Sequence, residues 1–326
     1  MALPRIHYIA FGGTISSTAA VAGGPVTPNL SAAGIVAGVP QLDGLARIEA
    51  SDFPALPSFS VTPVDMLAVA REAAAALARG CGGVVITHGT DTIEETAYTL
   101  ALVLPRGAPI VLTGAMRNAS ATGSEGPANL LAAFQVATSP NAAGLGPLLV
   151  LNDEIHSARF GTKLHTSKAS TFASPGAGPL GEVVEGRTDI WWRPAWEDEL
   201  GLPESLDGLR VEIVLLAAGV SDVTLRAAAA SRPTGIVIQG TGGGHVMPSL
   251  LPVIDEIVAA GVPVLIGGRG IAGATLERTY AIPGAEIDLI ARGVIPVGRL
   301  SAHKARLRLL VGCSLGLDPR SLFPQR

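Results

Sequence analysis

The chain has 326 residues, which is longer than one typical domain and predicts two domains, each large enough to bury a core. Hydrophobic residues make up 48% of the chain and charged residues 15%, a balance that excludes a disordered protein and indicates an aliphatic-rich globular one. The net charge is −4 and the sequence contains no basic run, so we expect a small-molecule ligand and no nucleic acid or membrane partner.

The first residues, MALPRIHYIAFGG, enter a strand-like segment at once and leave no room for a secretory signal. We therefore expect a cytoplasmic protein, with an exported protein that has lost its signal peptide as the alternative. No stretch reaches the roughly 18 uninterrupted apolar residues of a membrane span. Cys81 and Cys313 lie in different halves of the chain, which gives little support for a disulfide framework.

Short apolar runs followed by turn residues predict buried strands in the first half of the chain: IHYIAF, GGVVIT, APIVLTG and GPLLVLN. Helical patterns lie between them. One covers residues 64–80 and is stopped by Gly80, one begins at IEETAY, and one covers residues 126–140, opened by Pro127 and closed before Pro140. This alternation predicts a larger N-terminal α/β domain with a mainly parallel sheet over residues 1–186.

The composition of the sequence changes between Glu185 and Arg210, where all three tryptophans and several acidic residues appear without a clear hydrophobic period. We predict an inter-domain linker over residues 187–210. The alternation then resumes with VEIVLLAAG, GIVIQGTGGG, LLPVIDEIVAAG and VPVLIGGRG, which predicts a second, smaller α/β domain over residues 211–326.

Ligands of open parallel sheets bind outside the carboxyl ends of the strands, so polar residues directly after the apolar runs are candidate site residues. They are Thr14 after IAFGG, Ser58 in LPSFSVTP, Thr90 and Asp91 after VVITHG, and the segment 115–118 after VLTG. The long Gly- and Pro-rich segment after Thr14 is typical of a functional lid.

The stretch THGTDTIEET combines a helix start with candidate chemistry. Thr92 and Glu95 have the spacing of a capping box, and we assign Thr92, Glu94 and Glu95 to the helix start. His88 is a candidate general base, although a His ring held by a neighbouring backbone group is the more common arrangement. Thr90 and Asp91 are the stronger candidates for chemistry.

Only three of the 23 basic residues are lysines, Lys163, Lys168 and Lys304, so each retained lysine raises the question of a function that arginine cannot perform. A lysine can lose its proton and serve as a base. Lys163 follows the strand-like segment NDEIHSARFGT. A Thr–Lys–Asp set suits hydrolysis of an amide or ester without a metal, with Thr14 and Thr90 both candidates for the nucleophile.

Four segments resemble successive signatures of the bacterial-type L-asparaginases, in the order of that family. They are FGGTIS, THGTDTIEETAY, TGAMRNASATGSEGPANLLAA and NDEIHSARFGTKLHTSKASTFASPGAGPLG. The resemblance continues more loosely to the end of the chain. It implies two α/β domains and hydrolysis of L-asparagine to L-aspartate and ammonia through an acyl-enzyme on a threonine, without a cofactor.

Matched motif by motif, the resemblance implies that Thr14 is the nucleophile. It places Thr90, Asp91 and Lys163 in a second catalytic group, in which the lysine activates the Thr90 hydroxyl. Asp91 would also bind the amino group of the substrate.

The resemblance also implies substrate-binding residues and an assembly. Ser58 matches a residue that holds the substrate carboxylate, and Ala115 matches a backbone contact near the leaving amide. Glu286 matches a carboxylate contributed by a neighbouring subunit. The implied assembly is a dimer of dimers, a homotetramer with active sites at the intimate dimer interface.

Several positions depart from the family pattern. Val26 stands near the place of a lid tyrosine, Phe59 follows Ser58 where a glutamine is common, His245 replaces an asparagine, and Glu125 replaces an aspartate. Phe59 and His245 still fall at substrate-binding positions. These departures make a glutaminase-asparaginase or a related amidase with shifted specificity the alternative function.

Two rival functions come from other classes. GRGIAG, residues 268–273, satisfies the dinucleotide-binding pattern G-x-G-x-x-G, but Pro283 follows too soon for a full crossover helix. An amidotransferase that delivers ammonia to a protein or tRNA partner would be expected to carry an additional domain, for which this chain has no residues to spare.

Overall fold

A computed structural model describes residues 2–21, 24–54, 56–195 and 198–324. The chain divides into two compact units, Met1–Glu199 and Leu200–Arg326. Trp196, one of the three tryptophans of the predicted linker, lies outside the described residues. The first four residues of that predicted linker form a strand of the first unit, Arg187–Ile190, so the linker begins later than the sequence indicated.

The first unit is built on one large sheet. Its strands are β1 (Arg5–Phe11), β4 (Arg47–Asp52), β5 (Gly83–His88), β6 (Ile110–Thr113), β7 (Pro147–Leu151), β8 (Glu154–Ser157), β11 (Gly181–Val184) and β12 (Arg187–Ile190). They lie in the order β12-β11-β8-β7-β6-β5-β1-β4. Strands β4, β1, β5, β6 and β7 are parallel, and β8, β11 and β12 extend the sheet antiparallel, so the predicted mainly parallel sheet is confirmed.

Two short antiparallel ribbons complete the strands of this unit: β2 (Ser17–Ala19) with β3 (Val26–Pro28), and β9 (Thr162–Lys163) with β10 (Phe172–Ala173). The first ribbon is part of the predicted lid. Of that lid, Ala22 and Gly23 lie outside the described residues.

Helices cover both faces of the large sheet. They are α1 (Ala32–Ala37), α2 (Pro63–Ala78), α3 (Ile93–Val103) and α4 (Gly126–Thr138). Helix α2 packs on β1 and β5, and α3 on β6 and β7, while α4 joins α1 in the hydrophobic cluster of the other face. Because both faces are covered, every residue of β5 is buried, which explains the continuous apolar run VVI in its sequence.

The second unit has a smaller parallel sheet, in the order β13 (Val211–Leu215), β14 (Gly235–Gly240), β15 (Val264–Gly268) and β16 (Ile295–Pro296). Its helices are α5 (Val223–Ala230), α6 (Leu251–Ala259), α7 (Glu286–Ala291), α8 (Ala302–Ser314) and α9 (Pro319–Leu322). The predicted second α/β unit is therefore confirmed.

The glycine motif at residues 268–273 lacks the context of a dinucleotide site. It follows β15 as expected, but no helix begins between Gly273 and Glu286, a part of the chain that the structure describes throughout. A pyrophosphate site of this kind needs a helix amino terminus directly after the glycines. The dinucleotide interpretation therefore gains no support from the fold.

None of the helices in the described part of the chain combines the length and apolar character needed to cross a bilayer.

Candidate active site

The carboxyl ends of β1, β5 and β6 form one edge of the large sheet. Phe11 of β1 lies beside His88 of β5, and Thr87 of β5 lies beside Thr113 of β6. Thr14, Thr90 and Ala115 each follow their strand within three residues, so the sheet itself brings these three turns to the same edge.

The Thr14 turn depends on the two glycines before it. Gly12 and Gly13 have φ values of 77° and 95°, a region that residues with a side chain rarely adopt. A Cβ atom on Gly13 would lie 2.5 Å from the backbone nitrogen of Gly89, so only glycine allows this approach. The turn that carries Thr14 therefore packs directly on the residue that precedes Thr90.

Thr14 begins a 3-10 turn, Thr14–Ser16, and is partly exposed. The hydroxyls of Ser16 and Ser17 both donate to the carbonyl of Gly13, at 2.8 and 3.0 Å. The Thr14 hydroxyl forms no hydrogen bond within residues 2–21 or the other described ranges. Thr14 therefore offers an accessible hydroxyl at this edge of the sheet, whereas the residue Thr90 is only 6% exposed.

Lys163 connects the Thr90 hydroxyl to a carboxylate. Its Nζ atom lies 2.9 Å from Thr90 Oγ1 and 2.7 Å from Asp91 Oδ1. The hydrogen bond from Lys163 holds the pKa of Asp91 below its ordinary value, although partial burial acts in the opposite direction. The three side chains predicted to form a Thr–Lys–Asp set are therefore in direct contact.

Ser58 joins the same group from the turn before α2. Its hydroxyl lies 3.2 Å from Asp91 Oδ2, and the backbone nitrogen of Asp91 donates back to Ser58 Oγ at 3.3 Å. The neighbouring Phe59 is 77% exposed, an unusual state for a large apolar side chain. The edge therefore presents a polar cluster bordered by one exposed aromatic ring.

His88 is held as a neutral structural residue. It is fully buried, its Nδ1 lies 2.7 Å from the carbonyl of Gly89, and its Nε2 lies 2.8 Å from Thr96 Oγ1. Burial lowers the pKa of His88 to about 4. Since both ring nitrogens have partners, His88 is occupied in fixing the Gly89 turn and is not placed to act as a general base.

The capping box predicted at Thr92 is wrong. Thr92 is the residue before α3, but its hydroxyl donates to the carbonyl of Ser58 at 2.6 Å and leaves the helix start without a side-chain cap. The hydroxyl thereby fastens the Ser58 turn to the Asp91 turn. A capping box does exist at Thr62 and Asp65, where sequence reasoning did not identify one.

Sequence reasoning also missed two supporting residues. Glu94, assigned to the helix start, is buried and accepts the backbone N–H of Lys163 at 3.3 Å. Asn129 of α4 donates to the carbonyl of Gly114 and accepts from the backbone of Asn152, both at 2.9 Å. Asn129 could have been identified from the sequence, because it is a polar residue on the otherwise apolar, buried face of a helix.

Ala115 was predicted to contact the substrate through its backbone. It lies in a segment that is hydrogen-bonded to Glu125, the residue directly before α4. Ala115 is fully buried, and the next peptide nitrogen, that of Met116, donates to the Glu125 carboxylate. The second Glu125 oxygen is buried without a partner among the described residues. Glu125, noted as a departure from the family pattern, thus fixes the peptide that follows Ala115.

Two predicted substrate-binding residues, Glu286 and His245, lie together in the second unit. Glu286 is 2% exposed, and its Oε1 accepts the backbone N–H groups of Thr279 and Tyr280 at 2.7 and 2.6 Å. Its Oε2 lies 3.0 Å from His245 Nε2. Burial raises the pKa of Glu286, but these donors outweigh it and hold the pKa below its ordinary value.

The arrangement can support nucleophilic chemistry on a carbonyl carbon. The sheet edge offers an accessible hydroxyl on Thr14, a second hydroxyl on Thr90 in contact with an amine, and an ionised carboxylate on Asp91. Within the described ranges, no group of three or more His, Cys, Asp or Glu side chains is placed to hold a metal ion.

Two family models match the chain in successive segments. The model described as "Asparaginase, N-terminal" matches residues 5–196, and the one described as "Glutaminase/Asparaginase C-terminal domain" matches residues 210–322.

Individual relatives extend over nearly the whole chain. A probable L-asparaginase of Deinococcus radiodurans is 41% identical over 99% of this chain and 98% of its own. A glutaminase-asparaginase of Pseudomonas fluorescens is 33% identical over 98% of this chain and 89% of its own. The crystal structure of a probable cytoplasmic L-asparaginase from Campylobacter jejuni is 29% identical, covers 98% of both chains and superposes with a TM-score of 0.88.

Proposed function

This chain belongs to the asparaginase family, and on that premise we propose that it hydrolyses L-asparagine to L-aspartate and ammonia through an acyl-enzyme on Thr14. The observation that carries the proposal is the contact of Lys163 Nζ with both Thr90 Oγ1 and Asp91 Oδ1, at the edge where the Thr14 turn packs on Gly89. This geometry supplies a nucleophile, a proton acceptor and a carboxylate.

In the first step, Thr14 Oγ forms a bond to the side-chain amide carbon of asparagine. The hydroxyl proton passes to the amide nitrogen, the carbon–nitrogen bond breaks and ammonia leaves. The product is an aspartyl ester of Thr14. Support for this role comes from the partial exposure of Thr14 and from its hydroxyl, which makes no hydrogen bond to the described residues.

In the second step, water attacks the ester carbon and the bond to Thr14 Oγ breaks. The proton of the water passes through the Thr90 hydroxyl to Lys163 and is then returned to Thr14 Oγ as the ester bond breaks, so Thr14 and Lys163 both end the cycle as they began it. Asp91 binds the substrate ammonium, and this second cation competes with Lys163 for the carboxylate.

Phe59 and Ser58 bear on the choice of substrate. We assign Ser58 to the substrate carboxylate, an assignment supported by the contact of its hydroxyl with Asp91, the proposed partner of the substrate ammonium. Phe59 offers an apolar surface at the edge of the same cluster. Some relatives are named glutaminase-asparaginase, so activity on the longer side chain of L-glutamine is the second candidate function.

An ammonia-release assay with L-Asn, D-Asn and L-Gln tests the function. We expect the highest kcat/KM for L-Asn and slower release from L-Gln, since one extra methylene changes the distance from Thr14 to the reacting carbon. No ammonia release from either L-amino acid would contradict the proposal. A higher kcat/KM for L-Gln would replace it by the second candidate.

We further propose that each active site is shared between two chains of a dimer within a homotetramer. Thr14, Thr90, Asp91 and Lys163 lie in the first unit, and Asp91 is the acidic residue among them. A buried substrate ammonium is held better by a second carboxylate, because an unpaired buried charge is costly. Glu286, supported by His245, is the carboxylate that we assign to the neighbouring chain.

The surface near Glu286 supports this assignment. Tyr280, Ile282 and Ile287 are 48%, 66% and 38% exposed, although all three are large and apolar. Exposed apolar side chains grouped in this way are typical of a protein–protein interface.

For localisation we propose the cytoplasm, supported by the similarity to the probable cytoplasmic enzyme of Campylobacter jejuni.

Mixed dimers of Thr14→Ala and Glu286→Gln chains test the shared site. If sites are shared, a mixed pair contains one site with both residues intact and one that lacks both. At low substrate concentration we expect the mixed pair, isolated with two affinity tags, to reach about half of the wild-type rate.

An unshared site gives a different result. Each mixed pair would then carry one inactive chain and one Glu286→Gln chain, so its rate would be half that of the Glu286→Gln parent. That lower rate, in mixed pairs verified by mass, would show that Glu286 does not serve the neighbouring chain.

A further inference from the structure

His156 is a buried histidine outside the polar cluster of the sheet edge. It lies in β8, is 0% exposed, and its Nδ1 lies 3.1 Å from Ser174 Oγ. Its Nε2 lies 3.2 Å from Glu154 Oε2 but without hydrogen-bond geometry. Burial lowers the pKa of His156 to about 4, so the ring is neutral at neutral pH.

His156 lies at the end of the ribbon that carries Lys163, where Gly161 and Ser174 flank the Thr162–Ala173 pair. In that ribbon Lys163 pairs with Phe172, and each strand has only two residues. Gly161 precedes the ribbon, and a Cβ atom placed on it would lie 3.1 Å from His156 Cβ. Ser174 follows the ribbon directly. The His156 side chain therefore borders one end of the ribbon, one residue pair away from Lys163 and Phe172.

A ribbon this short cannot hold its own geometry, because isolated two-stranded hairpins are at best marginally stable in water. Its position must come from contacts with the rest of the unit. On the Lys163 side, Glu94 accepts the backbone N–H of Lys163. Directly after the opposite strand, the Ser174 hydroxyl is hydrogen-bonded to His156 of β8.

We propose that His156 is a positioning residue for Lys163, acting through its hydrogen bond to Ser174. This inference rests on the proposed function, in which Lys163 takes a proton through Thr90. A fully buried strand position would be filled at lower cost by an apolar residue, since a buried polar group is unfavourable unless it is hydrogen-bonded. The directional bond to Ser174 orients the ribbon in a way that apolar packing alone does not.

The lysine amine needs that orientation because it must lie within hydrogen-bond reach of Thr90. A misplacement of about 1 Å in a catalytic group can lower the rate by up to about 100-fold. A residue that only stabilises the fold would affect the melting temperature and leave the kcat of the folded enzyme unchanged. A positioning role therefore predicts a lower kcat, whereas a purely structural role predicts a change in the melting temperature alone.

The test is a double-mutant cycle with His156→Leu, Ser174→Ala and the double variant, read by kcat, KM and melting temperature. We expect each single variant to lower kcat by about 10- to 100-fold with KM changed less than about twofold. The double variant should be no slower than the slower single variant, because both changes remove the same bond. His156→Asn, which keeps a polar group near the Nδ1 position, should recover most of kcat.

Ser51→Ala is the matched control. Ser51 Oγ lies 3.2 Å from Nε2 of His7, another buried histidine of the same sheet. Loss of that bond should change the melting temperature and leave kcat as it is.

Two outcomes would overturn the inference: an unchanged kcat in Ser174→Ala, or independent kcat losses that multiply in the double variant. Ser174→Ala decides the matter alone if His156→Leu does not fold. Lys163→Met separates this inference from the proposed function. If Lys163→Met stays active, both fail, whereas an inactive Lys163→Met beside fully active His156 and Ser174 variants contradicts only the role of His156.

Discussion

Thr14→Ala is expected to lower turnover of L-asparagine by at least about 10⁴-fold, because the acyl group then has no attachment point. The fold should persist. Thr14 is partly exposed, and its hydroxyl forms no hydrogen bond to the described residues. We therefore expect the free energy of unfolding to change by less than about 1 kcal/mol. Steady-state ammonia release and urea unfolding measure the two effects separately.

Two further substitutions make this prediction specific to the hydroxyl. Thr14→Val keeps the shape of the side chain without the hydroxyl and should be as inactive as Thr14→Ala. Thr14→Ser keeps the hydroxyl and should retain measurable turnover. If Thr14→Val kept most of its activity, Thr90 or water would have to be the nucleophile.

Lys163→Arg is expected to be nearly as damaging as Lys163→Met, with turnover lowered by about 10³-fold in both. Arginine would preserve a positive charge beside Asp91, but its guanidinium cannot accept a proton at any accessible pH. The comparison therefore separates a base from an electrostatic support. Ammonia release at several pH values gives the kcat of each variant.

Lys168→Arg provides the matched control, since Lys168 is exposed and follows Lys163 by five residues. It should turn over asparagine at the wild-type rate. High activity in Lys163→Arg would instead mean that the residue acts through its charge and that another group accepts the proton.

Much of the first unit follows from local sequence patterns. The apolar runs of β1, β5, β6 and β7 and the helical periods of α2 and α4 are each set by residues close in sequence. Thr14, Thr90 and Asp91 could be selected for the same reason, because each comes directly after a strand. Their direct contact with Lys163 required the structure, since Lys163 is 72 residues after Asp91.

The elements that sequence reasoning missed are those without a local signal. Strands β9 and β10 have two residues each, too few to show a period, and β12 is an exposed edge strand whose sequence, RTDI, carries no apolar alternation. Pairing with the rest of the sheet, and not composition, makes these segments extended.

Thr92 illustrates why the capping box prediction failed. The spacing from Thr92 to Glu95 fits the motif, but the hydroxyl has a competing acceptor in the carbonyl of Ser58, 34 residues away in sequence. Long-range hydrogen bonds of this kind are invisible to spacing arguments. The same holds for Glu94, which does lie in the first turn of α3 but also accepts the backbone N–H of Lys163 from a distant part of the sequence.

The central claim is a covalent intermediate on Thr14, and the most direct test is to locate it. Acid quenching of Lys163→Met during reaction with L-asparagine should trap the ester, because this variant lacks the proposed base of the second step. We expect peptide mass spectrometry to find the aspartyl group on the peptide that contains Thr14. An aspartyl group on the peptide that contains Thr90, or ammonia release with no modified threonine, would contradict the account.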